Sequence, residues 1–524
     1  MSLTAMPPDL PRLNDYVEWY ARETPDAEAT VTRDERLSYR QLSFAVRNCA
    51  SALVSCGVGP EDRVASLAAP GAGYWVSLLA TTSIGAIWCG LNPRHTAEEL
   101  DRVIARTEPK LVFVQSSIEG RDYGNWMAAL PKDVRHVPLQ DAGAHALNAF
   151  TESHGVDAQR LKTLRESVRS EDVCLIVFTS GSSGLPKGVM ISHRALIGAA
   201  RVQRRQWPVK PLRVLNNLPI NHIGAVGDLA CYTLIGGGAG IFCERFSPEQ
   251  SLRLIEQECV SVLGQVPTQF ELTWRSASFE IEALKSVQLL FWGGAQASTD
   301  LIRRVAEVGC PIATSYGQTE TVGSVTFTHP DASLEELSLT VGAPVIPYAV
   351  RIVDEVGHDQ AVGTGGEVQV RSPFLMSGYW REPAATASAF TADGWLRTGD
   401  VGMLGADRQL RLIGRTSEVF KSGGYNIYPA EIEAALLACA GVGQAAVVSV
   451  ADTLYGAIGL AGVVPKAGAQ LVAEDVRAEL STRLANYKIP KRILVIADLP
   501  KLAIGKVDKG TLRDILAAKR VNSP

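Results

Sequence analysis

The 524-residue sequence has no surplus of positive charge: 51 Lys and Arg stand against 55 Asp and Glu, a formal net charge of −4. A protein that grips a nucleic-acid duplex neutralises phosphates with Lys and Arg, so this balance argues against a general nucleic-acid binder. Paired cysteines are missing too. The nine Cys run from Cys49 to Cys439, odd in number and without a CxxC pair. Disulfide frameworks and zinc sites need closer grouping, so these residues are expected to be small buried apolar groups in a reducing, cytoplasmic setting. Met1 to Leu13 holds neither the basic segment nor the apolar run of a signal peptide. No internal repeat and no low-complexity tract is evident.

One stretch has no charge at all. Val64 to Pro93 is long enough to cross a bilayer. It is broken by Pro70, by Gly71, Gly73, Gly85 and Gly90, and by several Ser and Thr. A buried strand and helix of an α/β core is therefore expected, and no transmembrane segment.

The remaining composition, 46% hydrophobic and 20% charged, is that of a folded globular chain. Its length calls for two or more domains. Apolar β-rich runs at Val173–Phe178, Val214–Leu218, Ala239–Phe242, Val287–Phe291 and Ile352–Val353 alternate with helical spacing at Ser247–Glu258 and Thr299–Val308. This alternation predicts layered α/β packing with parallel strands. The pattern changes near Gly414. Helices at Ala430–Cys439 and Val472–Leu484, with strands at Gly441–Val450 and Gly459–Val464, predict a small α+β domain. The boundary is placed at 414–417, giving domains 1–414 and 415–524. Arg483 to Arg520 carries ten Lys or Arg against three Asp. Taken alone that is a solvated surface, and beside a polyphosphate it would be a positive face.

The most informative segment is Phe178-Thr-Ser-Gly-Ser-Ser-Gly-Leu-Pro-Lys-Gly-Val189. A strand leads into hydroxyl residues and glycines, then a lysine. Gly181 and Gly184 let the backbone come close to a ligand and turn its N–H groups inward. Thr179, Ser180, Ser182 and Ser183 add hydroxyl donors, and Lys187 adds charge. The segment is not a Walker loop, because Lys187 is followed by Gly188 where Ser or Thr is required. No Gly-x-Ser-x-Gly elbow is present. The run Gly236–Gly240 is no dinucleotide fingerprint, since Ile241 stands where its third glycine belongs.

This loop resembles the signature of the adenylate-forming superfamily, which includes acyl-CoA synthetases, peptide-synthetase adenylation domains and firefly luciferase. Further blocks follow in the family's order: Tyr316-Gly-Gln-Thr-Glu320, Gly365-Gly-Glu-Val-Gln-Val-Arg371, Thr398-Gly-Asp400, Gly414-Arg415 with Lys421-Ser-Gly-Gly424, and Gly505-Lys506. The resemblance spans essentially the whole chain. It implies an α/β fold with a large N-terminal domain of layered sheets and helices and a small mobile α+β C-terminal domain. It also implies ATP, Mg2+ and coenzyme A as reaction partners of a small carboxylic acid.

Residue by residue, the resemblance implies that the loop from Thr179 to Gly184, with Lys187, holds the β- and γ-phosphates. Glu320 matches the magnesium-associated glutamate and Thr319 the hydroxyl beside it. Tyr316 would lie against adenine, within a nucleotide site that includes Gly294, Ala295, Ser315, Gly317 and Gln318. Asp400 would accept hydrogen bonds from the ribose hydroxyls, and Arg415 would add a ribose or phosphate contact. Lys506 would bridge the substrate carboxylate and the α-phosphate. Lys421, Ser422, Gly423, Gly424 and Tyr425 would line the pantetheine channel. The hinge position, commonly Asp or Lys, is Ser417 here. These residue types suit the chemistry, because two anions must be brought together and their charge cancelled.

The acyl pocket is expected at Asn221–Asp228, Trp292–Ala295 and Ser315–Gly317. His222 would sit near the carboxylate. Ile223 stands where amino-acid-activating relatives carry an Asp, which disfavours an α-amino acid. Gly224, Ala225 and Gly227 would leave room, and Trp292 and Gly293 would close the cavity. An apolar acid of medium length, or an aromatic or alicyclic one, fits best, with Asp228 facing elsewhere. The chain ends soon after the lysine segment without a carrier domain, which favours free CoA over a carrier protein. A decayed nucleotide-binding protein and a luciferase-type oxygenase share the fold and are the other readings. A homodimer is compatible with the sequence, as is a monomer.

Overall fold

The computed structural model describes residues 7–155, 158–179, 186–422, 425–501 and 507–518. The chain divides into two compact units: Met1–Ala349 with Val370–Leu396, and Val350–Gln369 with Arg397–Pro524.

The first unit is built on two large sheets. One runs in the order Gly378–Tyr379, Lys187–Ser192, Val173–Thr179, Ile87–Gly90, Arg63–Leu67, Leu111–Gln115 and Arg135–Leu139. It is parallel from Val173–Thr179 onward and antiparallel before it. The other runs Ala343–Pro344, Gly323–Phe327, Ile312–Gln318, Leu289–Trp292, Val262–Gln265, Arg213–Asn216, Ala239–Phe242, Glu28–Val31 and Arg36–Ser38. Its interior strands are parallel and both edges antiparallel. The expected parallel pairing therefore holds inside the sheets and fails at their edges.

The charge-free stretch folds as strand Arg63–Leu67, helix Ala72–Ser83 and strand Ile87–Gly90. Every residue of the helix is buried. Both serine hydroxyls are satisfied locally: Ser77 Oγ donates to Tyr74 O at 2.7 Å and Ser83 Oγ to Ala80 O at 2.8 Å. Twelve residues of helix reach about 18 Å, short of a bilayer. Among the described residues no helix is long and apolar enough to cross a membrane. Helices Tyr39–Ser55, Ala72–Ser83 and His193–Gln206 share one buried cluster with residues of both sheets. Helices Pro248–Gln257 and Thr299–Ala306 lie near their expected bounds, each begun by a serine whose hydroxyl accepts a backbone N–H (Ser247 from Gln250, Ser298 from Leu301). The strand expected at Val287 begins at Leu289, because the Val287 N–H closes a turn onto Leu284 O at 2.9 Å.

The second unit holds a four-stranded sheet of Ala349–Val353, Gly366–Arg371, Leu396–Leu404 and Leu410–Arg415. It also holds a five-stranded one centred on the hairpin Val442–Asp452 and Gly456–Pro465. The expected boundary at 414–417 overlaps the end of the strand Leu410–Arg415 and stops short of Phe420–Ser422 of the second sheet, whereas the compact units divide at Ala349, Gln369 and Leu396. The hairpin buries both faces. Val447 and Ala461 join helices Pro429–Leu437 and Ala473–Ser481 on one side, while Val448 and Leu460 join Leu512 and Leu516 on the other.

Cys49, Cys89, Cys174, Cys231, Cys243 and Cys439 are buried free thiols as expected; Cys56 and Cys310 are partly exposed and Cys259 is at the surface. The basic C-terminal stretch is partly neutralised within its own unit, Lys488 by Glu431 and Lys509 by both Glu418 and Glu433.

Candidate active site

In the first unit the phosphate-loop segment connects two antiparallel strands. Thr179 and Lys187 are partners at the neck of this hairpin, and Thr179 Oγ1 lies 3.5 Å from Lys187 O. Ser180, Gly181, Ser182, Ser183 and Gly184 lie outside the described residues.

The Lys187 ammonium sits 4.9 Å from the ring centre of Tyr379, a cation–π distance. The same tyrosine donates its hydroxyl to Glu320 Oε1 at 3.0 Å. Burial, and then the adjoining Glu320 charge, push the phenol well above its ordinary pKa, so it stays a donor. Tyr379 thus joins the two charged groups that the sequence assigned separately to phosphate and metal. Its strand is held by Ser377 N–H to Met190 O at 2.8 Å and Trp380 N–H to Gly188 O at 2.7 Å. Sequence reasoning missed Tyr379, because a Gly-Tyr-Trp string carries no chemical signal until it is paired beside Lys187–Ser192.

Glu320 stands on the turn between Ile312–Gln318 and Gly323–Phe327. Thr321, fully buried, shapes that turn: its hydroxyl accepts the Gln318 N–H at 2.8 Å and lies 2.7 Å from Gly323 O. Thr319, the residue expected to matter, is part of the same turn and donates nothing to it; its carbonyl accepts the Val322 N–H at 3.0 Å. Tyr316 is buried, and Ser315 Oγ meets Ser324 Oγ at 2.8 Å. Gln318 and Gly317 pair with Gly323 and Ser324. Among the described residues no group of three or more His, Cys, Asp or Glu is arranged to hold a metal ion. A divalent cation beside Glu320 would draw its other ligands from phosphate oxygens and water, as Mg2+ ordinarily does.

Gly224–Cys231 forms a π-helix, a rare wide turn frequent at functional sites. Between Ile220 and Ile235 only His222, Gly224 and Asp228 keep partial exposure. These three define an open side. A Cβ on Gly224 would meet only Leu218 at 3.5 Å and Asp228 Oδ2 at 3.9 Å, so Gly224 does leave room. Gly227 does not: a Cβ there would lie 3.2 Å from Ile223 and 3.6 Å from Leu196, so the space is filled from behind. Ile223 is itself buried. Trp292 also differs from expectation. It joins Leu290, Leu301 and Ile302 in the core under helix Thr299–Ala306, while its neighbour Phe291 takes the opposite face, stacked on Trp207 at 4.7 Å and close to Leu229 across Gly264. Strand alternation sends adjacent side chains to opposite sides. Gly293, Gly294 and Ala295 follow directly, with Gly294 at φ +77.

The Asp228 carboxylate lies against the Gly323 backbone, where a Cβ on Gly323 would come 2.6 Å from Oδ1. Burial pushes the Asp228 pKa up to about 7, against the opposing pull of the Ser324 backbone N–H.

In the second unit Asp400 and Arg415 are register partners on adjacent strands, with Arg415 Nε 3.0 Å from Asp400 Oδ1. Asp400 is buried and the guanidinium is half exposed. The turn into Asp400 depends on Gly399 at φ +69, whose carbonyl accepts both the N–H and the hydroxyl of Thr416. Ser417 is exposed in the turn that follows. Phe420–Ser422 and Tyr425–Ile427 form the expected hairpin, pairing Lys421 with Asn426 and Ser422 with Tyr425; Gly423 and Gly424 lie outside the described residues, as does Lys506. The segment holding Lys506 is closed at its base by a bridge between Lys501 and Val507.

The profile of the AMP-binding enzyme family matches residues 17–380, and that of the AMP-binding enzyme C-terminal domain matches residues 431–506. The chain belongs to this family. Among curated proteins it is 33% identical over 500 residues to a feruloyl-CoA synthase of Amycolatopsis, covering 94% of this chain and 96% of that protein. It is 31% identical to an indoleacetate–CoA ligase of Aromatoleum aromaticum, covering 97% and 98%. ATP-bound MatB from Rhodopseudomonas palustris superposes with a TM-score of 0.84 at 28% identity, over 96% of this chain and 99% of that one. The chain is an adenylate-forming acid–thiol ligase of the acyl-CoA synthetase branch.

Proposed function

We propose that this AMP-binding enzyme activates an aromatic, alicyclic or medium-chain apolar acid and transfers it to free CoA, using ATP and Mg2+. A carboxylate oxygen attacks the α-phosphorus of ATP, the bond to the β-phosphate oxygen breaks, and pyrophosphate leaves. The CoA thiolate then attacks the acyl carbon, and AMP leaves with the electron pair of the C–O bond.

The observation that supports this reading most is the Lys187–Tyr379–Glu320 cluster at the hairpin neck. A fixed cation and a fixed carboxylate, joined through one hydroxyl, match a magnesium-bound polyphosphate. Lys187 and Thr179, with Ser180–Gly184, hold the β- and γ-phosphates, and Glu320 takes the Mg2+ that offsets their charge. Tyr316 covers the adenine, and Asp400 accepts from the ribose with Arg415 beside it. His222 orients the carboxylate at the open side of the π-helix. Lys506 neutralises charge between the acid and the α-phosphate. Residues 1–414 hold the nucleotide and acid, while 415–524 pivot at Ser417 to bring Lys421–Tyr425 to the pantetheine.

The test is isotope exchange of labelled pyrophosphate into ATP across benzoate, phenylacetate, octanoate, palmitate and acetate, followed by thioester assay with CoA alone. Exchange with a ring-bearing or medium-chain acid and thioester release with free CoA is the expected result. Acetate as best substrate would overturn the pocket assignment. Adenylate formation without thioester would point to a carrier protein as acceptor.

A further inference from the structure

The phosphate-loop hairpin and the Gly378–Tyr379 strand are tied together by one side chain that no motif marks. Arg106 stands in the last turn of helix Ala97–Thr107. Its Nη1 donates to Pro186 O at 2.7 Å, and its Nη2 donates to the Glu382 carboxylate. Pro186 directly precedes Lys187, one residue beyond the Thr179–Lys187 pair that ends the described ladder. Glu382 follows Tyr379 by three residues, and its N–H closes a turn onto Tyr379 O at 3.1 Å. The two side chains of this ion pair are 29% and 26% exposed, so water screens it less than a pair on the open surface.

The helix is a fixed base for that contact. At its start the Thr96 N–H donates to Glu99 Oε2 at 2.7 Å and the Glu99 N–H to Thr96 Oγ1 at 3.3 Å, a reciprocal cap. At its end Arg63 donates to Thr107 O at 2.7 Å and to Glu108 O at 2.8 Å, taking carbonyls that a helix terminus leaves over. The far side of the contact is a strained turn. Arg381 sits at φ +55, a costly conformation for a residue with a side chain. Glu108 Oε2 accepts from its guanidinium at 2.5 Å. Trp380 donates its indole N–H to Arg106 O at 3.0 Å, and the Arg63 and Arg381 guanidiniums each lie 5.4 Å from its ring centre. Backbone and side chain of Arg106 thus both grip the segment that follows Tyr379.

We propose that Arg106 is a positioning residue for the nucleotide polyphosphate: by clamping Pro186 and Glu382 with one guanidinium, it fixes where the Lys187 ammonium and the Tyr379 hydroxyl meet, and through that hydroxyl Glu320. This rests on the reading of that cluster as the polyphosphate site. Lys187 carries its charge on a flexible four-carbon stem, so the place of its ammonium depends on where its backbone is held. The Gly378–Tyr379 strand has only two residues, shorter than most strands, and gains from a tie outside the ladder. A guanidinium suits the task because its planar fork holds two acceptors in fixed directions, which an ammonium does not.

The test measures pyrophosphate release with the acid that the wild-type enzyme uses best, varying MgATP and acid in turn. Thioester formation from supplied acyl-adenylate and CoA, which needs no polyphosphate, is measured beside it. Arg106→Met should raise the KM for MgATP about 10-fold, with the KM for acid and the thioester step within about threefold of wild type. Arg106→Lys should recover part of the loss, since it keeps the charge but not the fork. Glu382→Ala should raise the KM for MgATP by a smaller factor, and the double variant should be no worse than Arg106→Met, because both changes open one clamp. Equal losses for MgATP, acid and thioester formation overturn the inference, as does an unchanged KM for MgATP or an additive double variant. Should Arg106→Met fail to fold, an unchanged KM for MgATP in both Arg106→Lys and Glu382→Ala overturns it instead. Each of these leaves the ligase reading standing; no pyrophosphate from the wild-type enzyme with any acid overturns both.

Discussion

The two units hold their charged groups in different ways. In the first, Glu320 and Lys187 are fixed through Tyr379, whose strand is hydrogen-bonded into the seven-stranded sheet. In the second, Arg415 is 54% exposed, Ser417 stands on an open turn, and the Lys421 ammonium lies 3.9 Å from Glu355 with both side chains in solvent. An exposed pair at that distance contributes little. The contrast matches the demands of the two tasks. Cancelling polyphosphate charge needs donors that are in place before the substrate arrives. Groups that serve only one of two half-reactions, the role proposed for Lys421 but not for Arg415, gain from a loose mounting.

The largest effect is expected at Lys506. Lys506→Ala should slow acyl-adenylate formation by about 10²–10³-fold while sparing thioester formation from supplied acyl-adenylate. Equal loss in both half-reactions would break the comparison, since Lys506 would then act throughout. Next comes Tyr379→Phe, which removes one neutral donor to a carboxylate. Pyrophosphate exchange should fall by about 10- to 100-fold, with a raised requirement for Mg2+; an unchanged Mg2+ titration would mean that Glu320 is positioned without it.

Lys509→Met should act on the second unit alone. It leaves Glu418 and Glu433, now 2.5 and 2.9 Å from the ammonium, facing each other. A loss of about 1–3 kcal/mol is expected, read by hydrogen exchange in Pro429–Leu437, with protection in Val173–Thr179 unmoved. The smallest effect concerns Asp228. Its folded pKa of about 7 lies above the ordinary 3.8, so the folded state holds a proton that the unfolded chain has released. Stability is therefore lost as pH rises from about 4 through 7 and stays low above that. Asp228→Asn should raise Tm over wild type by about 2 °C at pH 8, and by less at pH 5. A gap that does not widen between those pH values would mean the carboxylate is solvated.

Much of this was legible from local chemistry. Val173–Thr179 declares itself by its apolar run, and Thr-Gly-Asp400 and Gly-Arg415 each mark the end of a motif. That Asp400 and Arg415 face each other across adjacent strands follows from register, which no single motif contains. Tyr379 was invisible for the same reason: its two partners lie 59 and 192 positions away in sequence. Trp292 illustrates a different limit. Whether it or Phe291 faces the pocket turns on one residue of phase, and only the neighbouring strands set that phase. The π-helix likewise altered which glycine stays open, since its wider turn shifts positions that an α-helical count would align.

The division of the chain has a consequence for anyone exchanging parts between relatives. The backbone crosses between the units three times, at Ala349, Gln369 and Leu396. A chimera spliced once, after Gly414, would take Asp400 from one parent and Arg415 from the other. Every pairing within the second unit stays parental only if Val350–Gln369 travels together with Arg397–Pro524, so the piece that carries the whole unit is discontinuous in sequence.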